Sequence, residues 1–150
     1  MNYEIVNLKE KTLISLKPMR ISNNGPEVSA KISKLWEEFM KKSHEIENPK
    51  TKKAICTYSN YENDEKGFYD VSIGLETTDP SIKSSNFILK TIPAGKYAKF
   101  IVNGPVQKSV AEFWKELWEM NLPRKFDCDF EEYQIVGPLN AEVHIFISLK

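Results

Sequence analysis

The strongest constraint on this chain is that its pattern occurs twice. Leu35-Trp36-Glu37-Glu38-Phe39 and Phe113-Trp114-Lys115-Glu116-Leu117 stand at corresponding places in two copies of one unit: a strand, a helix and two further strands. Asn24-Gly25-Pro26 opens the first helix and Asn103-Gly104-Pro105 the second. Proline suits the first helical position, and Asn or Gly before it caps the free amides. Val28, Ile32, Leu35, Trp36 and Phe39 recur at helical spacing, as do Val106, Val110, Phe113, Trp114, Leu117 and Trp118. Leu122-Pro123 ends the second helix, because the residue before a proline avoids helical angles.

Strand-like runs at 12–16, 54–58 and 68–73 flank the first helix, and runs at 97–102, 130–136 and 142–147 flank the second. Polar turns at 62–67 and 137–140 close the two hairpins, and a Ser/Asp/Pro-rich connector runs from 77 to 85. The expectation is a single α+β domain over residues 1–150, with pseudo-repeats at about 1–78 and 86–150 related by a pseudo-twofold axis. Trp36 and Trp114 then fall at near-equivalent positions. One unit has little core of its own, whereas two bury each other's apolar faces. A groove where they meet is a usual place for a small-molecule site, although two layers packed without a cavity satisfy the same pattern.

Composition narrows the function. Lys plus Arg and Asp plus Glu number 21 each, and a net charge of zero argues against nucleic acid as a direct partner. No basic segment leads into an apolar one at the N-terminus, and no run approaches the roughly 20 apolar residues of a membrane helix. The expected location is the cytoplasm, with Cys56 and Cys128 reduced. The chain has no Gly-rich phosphate loop, nucleophile elbow or His-Glu-x-x-His motif, and no cysteine pair at metal-ligand spacing. No catalytic residue, metal or other cofactor is therefore expected.

What remains is aromatic and acidic. Trp36, in line with Ile32 and Phe39, reads as core, whereas Trp114 and Trp118 present two indoles one turn apart. Asp127-Cys128-Asp129-Phe130-Glu131-Glu132-Tyr133 places four acids in a strand-like run, with Asp129, Glu131 and Tyr133 on one face and Cys128, Phe130 and Glu132 on the other. An acid among aromatics in a half-buried strand is costly unless a positive charge or donors meet it. A cationic ligand supplies that charge, with cation–π attraction from nearby rings. An exposed edge strand with its acids in water fits this segment equally well.

Three ordered motifs, Ile92-Pro93-Ala94-Gly95-Lys96-Tyr97-Ala98, Asn103-Gly104-Pro105 and Asp129-Phe130-Glu131-Glu132-Tyr133, resemble those of the GyrI-like effector-binding superfamily. That superfamily includes drug-sensing domains of multidrug transcription activators. Leu35 to Phe39, Tyr58-Ser59-Asn60-Tyr61-Glu62 and Phe113 to Trp118 are similar to its integron-cassette branch of free-standing cationic-drug binders. The resemblance runs from about Ile14 to Ile147. It implies the duplicated fold and a ligand-pairing acid, which falls on Glu131, with Tyr133 completing the Phe-Glu-x-Tyr motif. Trp114, Trp118 and Tyr58 are the expected further lining of a site for a cationic, amphipathic, aromatic ligand. The superfamily also holds hydrolases of cyclopropane-bearing toxins that use a pocket glutamate, and protein inhibitors of DNA gyrase. The duplicated unit fills the 150 residues and leaves no room for a helix-turn-helix module, so a role in transcription would call for a protein partner.

Overall fold

The structure is a computed structural model, described for residues 1–22, 27–64, 66–137 and 139–150. The expected opening of the first helix at Asn24-Gly25-Pro26 lies outside the described residues, as do Glu65 and Pro138 of the two turns. In chain order the elements are β1 (Glu4–Leu8), β2 (Lys11–Leu16), β3 (Met19–Ser22), α1 (Val28–Lys42), β4 (Ile55–Ser59), β5 (Phe68–Glu76), β6 (Phe87–Ile92), β7 (Gly95–Gly104), α2 (Val106–Glu119), β8 (Cys128–Val136) and β9 (Ala141–Ser148). The α+β class and both strand-helix-strand-strand units appear as expected. β1, β3 and β6 are additional to the expected strands, and α2 ends at Glu119, ahead of Leu122-Pro123.

All nine strands join one antiparallel sheet in the order β1-β7-β9-β8-β4-β5-β2-β6, with β3 beside β5. The order is symmetric about the central β8–β4 pair: outward from it β9 answers β5, β7 answers β2, and β1 answers β6. The helices repeat the correspondence. α1 buries Leu35 and Phe39, α2 buries Phe113 and Leu117, and each packs a partly buried tryptophan, Trp36 or Trp114, beside them. Before α2 the backbone of Gly104 takes a φ of 124°, where a Cβ would stand 2.7 Å from the Ser109 hydroxyl. Only glycine turns the strand into the helix there without strain.

The other face of the sheet has its own core. Pro93 and Ala94 alone separate β6 from β7, although these strands lie near opposite ends of the strand order. Three Cα–Cα steps reach no more than about 11 Å, so the sheet must curl until its margins approach. Leu13, Ile55, Ile92, Tyr97, Cys128, Phe130 and Phe146 fill the space enclosed, with the rings of Phe130 and Phe146 stacked at 4.5 Å. Cys56 belongs to the helix-side core and Cys128 to this one; both thiols are free. Among the described residues no helix is long and apolar enough to cross a membrane.

Candidate functional site

β8 is buried on both faces along its first half, which explains its acids better than an exposed edge does. Phe130 points into the rear core, and Asp129, Glu131 and Tyr133 point toward the helices, as strand alternation requires. Glu131 is fully buried at 0% exposure, whereas Glu132 is only partly buried on the other face and pairs with Gln134. Across the central seam Cys56 stands opposite Glu131, and Tyr58 opposite Asp129.

Three neutral donors converge on the Glu131 carboxylate. The Tyr58 hydroxyl and the Trp114 indole N–H both donate to Oε2, at 2.8 and 2.7 Å, and the Tyr133 hydroxyl donates to Oε1 at 2.8 Å. No lysine, arginine or histidine among the described residues forms an ion pair with it. Burial pushes its pKa up, and the bonds from Trp114, Tyr133 and Tyr58 oppose that rise. Burial also pushes both tyrosines well above their ordinary value, so they remain neutral donors.

The rings around this acid are arranged in symmetric pairs. Trp114 meets Tyr58 edge-on, with centroids 5.0 Å apart at 61°, and Trp36 meets Tyr133 edge-on at 4.8 Å and 75°. A twofold axis through the Cys56–Glu131 pair relates Tyr58 to Tyr133 and Trp114 to Trp36, so Glu131 lies at the centre of a box of two phenols and two indoles. The expected open groove is therefore closed by these rings. A hollow of about 20 Å³, room for one water, lies elsewhere, between Glu45, Asp79 and Phe87. Of the expected lining residues, Tyr58, Tyr133 and Trp114 meet at Glu131. Trp118 is 48% exposed and makes no described ring contact or hydrogen bond with them. Trp36, read from the sequence as core, packs on the core and also forms part of the box. Its place was legible in its equivalence to Trp114.

The second acid on this face is neutralised within the chain. Asp129, at 0% exposure, pairs with Arg124 at 2.8 Å, accepts the Tyr61 hydroxyl at 2.7 Å, and takes the amide and hydroxyl of Ser148 at 2.8 and 3.0 Å. Arg124 is itself buried, with its guanidinium over the Phe126 ring at 4.3 Å. No sequence pattern signals this pair, because Arg124 precedes the strand in an irregular segment.

Known proteins share this architecture. The family model described as a GyrI-like small molecule binding domain matches residues 1–150. YobU of Bacillus subtilis (strain 168), a candidate transcriptional regulator protein, is 33% identical over 128 residues, covering 80% of each chain. The integron cassette protein VCH_CASS2, from the mobile metagenome of Vibrio cholerae, superposes with a TM-score of 0.75 at 26% identity, covering 97% of this chain and 95% of its own. SAV2435, solved bound to tetraphenylphosphonium, has the same fold, with a TM-score of 0.74 at 18% identity, covering 99% of this chain and 94% of its own.

Proposed function

Because the chain belongs to the GyrI-like small-molecule-binding family, we propose that it binds an organic cation against Glu131, the rings of Tyr58, Tyr133, Trp114 and Trp36 that close over the acid parting to admit it, with Trp118 at the rim. One observation carries this reading: a fully buried carboxylate with three neutral donors and no cation paired with it among the described residues. A buried charge of this kind is costly unless compensated. A positive ligand removes the cost, and the ring faces add about 0.5–2 kcal/mol each. The hydrogen bonds also shape the choice of ligand. Oε2 already has two donors and Oε1 one, so the acid has little acceptor capacity left and offers mainly charge. A cation without N–H groups, such as a phosphonium or quaternary ammonium, needs nothing more, whereas a primary ammonium must displace the bonds already made. The tetraphenylphosphonium bound by SAV2435, which shares this fold, is a cation of that kind.

Tetraphenylphosphonium and tetraphenylborate match in shape and are opposite in charge, so calorimetric titration of both tests the reading directly. The phosphonium is expected to bind at least about a hundredfold more tightly, on the scale of a partly desolvated charge pair. Equal affinity for the two ions sinks the electrostatic account.

A further inference from the structure

Asp129 and Glu131 lie two residues apart on one strand face, roughly 7 Å along β8. They belong to one continuous aromatic wall, because the Tyr69 ring touches both Tyr58 at 6.1 Å and Tyr61 at 5.9 Å, and those tyrosines donate to Glu131 and Asp129 respectively. Each acid is fully buried, yet their compensation differs. Among the described residues Glu131 has neutral donors alone, while Asp129 has an internal guanidinium that is itself buried against the Phe126 ring. Arg124 lies over Phe126, whose φ of 56° is unusual for a side chain of its size and turns the ring under the guanidinium. Phe126 in turn meets Tyr61 edge-on at 5.8 Å. Arg124 makes its described polar side-chain contact with Asp129, and its Nε is buried without a hydrogen-bond partner among the described residues. The guanidinium is thus committed to one carboxylate by packing as well as by charge.

We propose that the Arg124–Asp129 pair sets the charge the site accepts: by neutralising one of two neighbouring buried acids, it leaves a site for a single positive charge. This rests on the cation-binding reading of Glu131. The pair acts on ligand through the field at Glu131, so Arg124 and Asp129 are specificity-determining residues that need not touch the ligand. Two oppositely charged partners held at 2.8 Å offset one another in part at a neighbouring group. Removing either exposes the other's charge, uncancelled, at short range in a poorly screened interior.

The test is a reversal of sign. Titration with tetraphenylphosphonium and tetraphenylborate gives a cation-over-anion ratio for each variant, with folding checked by circular dichroism. Asp129→Asn leaves the guanidinium unpaired and is expected to lower the ratio by about tenfold or more. Arg124→Met leaves the carboxylate unpaired and is expected to raise it by a similar factor. The double variant restores the parent ratio within about threefold, and Arg124→Lys, which keeps the charge, does the same. Where one single variant fails to fold, the other compared with the double variant reads the same charge step. Shifts in the same direction in both single variants, or a change in Arg124→Lys as large as in Arg124→Met, would make the effect one of packing and overturn the proposal. A Glu131→Gln control separates the two failures. If it leaves phosphonium binding intact, the cation-site reading itself has failed. If it weakens binding while the pair variants do not diverge, only the present proposal has.

Discussion

Glu131→Gln is the substitution on which the site stands or falls, and the structure predicts opposite effects on binding and on stability. The amide has the shape of the acid, and the three donors can adapt to it. With its carbonyl at the Oε2 position it accepts from Tyr58 and from Trp114, whose N–H can only donate. Its NH₂ then faces Tyr133, whose hydroxyl reverses from donor to acceptor. Each of these groups keeps at least one hydrogen bond, so the variant should fold. The parent has a linkage that the variant lacks. Because burial raises the Glu131 pKa, the folded chain keeps a proton that the unfolded chain releases as pH climbs past the ordinary carboxyl range. Stability therefore falls as pH rises through that window and levels off above the raised value. Each tenfold rise in proton affinity costs about 1.4 kcal/mol at the upper end. The glutamine variant has no such fall, so its stability relative to the parent should improve from acid to neutral pH. Binding moves the other way. A cation about 5 Å from the carboxylate, at an effective dielectric near 20, gains roughly 3 kcal/mol, and desolvation brings the net loss in the variant to about 1.5–3 kcal/mol. Urea unfolding from acid to neutral pH and calorimetry with a quaternary ammonium and its neutral carbon isostere measure both effects. Glu132→Gln serves as control, because Glu132 lies on the opposite face. Parallel pH profiles for parent and Glu131→Gln, or unchanged affinity for the cation, would refute the reasoning.

Tyr133→Phe removes the donor to Oε1 and should raise the Glu131 pKa further, so that the pH at which phosphonium binding switches on moves upward in a titration series. Trp114→Phe loses the 2.7 Å bond to the acid and should weaken phosphonium by about tenfold, whereas Trp118→Phe, at the exposed end of α2, should stay within about twofold of the parent, well under 1 kcal/mol. Steady-state quenching by a dye cation should survive Trp118→Phe and fall in both Trp36→Phe and Trp114→Phe. Gly74→Ala is expected to cost about 1–3 kcal/mol in thermal or chemical unfolding, because a Cβ there meets the Ile14 carbonyl and the Ser15 hydroxyl, both at 2.3 Å.

The elements legible in the sequence were those whose apolar periodicity is undiluted. The start of α2 and the core strands β5, β8 and β9 fall close to where the pattern places them, because one face of each is committed to the helix-side core. β1 and β6 escaped because they are margin strands. Ile5 is 51% exposed and Leu89 46%, so their alternation carries little burial signal. The face on which Glu131 lies followed from alternation. So did the face of Tyr133, but the other two donors did not, because Tyr58 comes from another strand and Trp114 from a helix, and only the strand order brings them together. The tryptophans divide by burial: helical spacing puts Trp114 and Trp118 on one face, but Trp114 packs on the core and bonds Glu131, whereas Trp118 is 48% exposed.

The position of Glu131 gives the duplication a functional sense. In a sheet built from two copies of one unit, the seam between β8 and β4 is the only place that both copies approach equally, and the Cys56–Glu131 pair lies on it. A side chain at the axis is met by the same ring from each half: Tyr58 and Tyr133 both donate at 2.8 Å, and each carries a tryptophan against its edge. One acid thereby acquires a box with two similar walls. A second acid at the axis would instead face the first across the seam, and two carboxylates in so small a buried space would share a proton rather than attract a cation. Cys56, whose thiol burial and the Glu131 charge hold neutral, fills the symmetric position without adding charge. The axial residues of the two halves differ, and that departure from symmetry places one carboxylate, rather than two, at the centre.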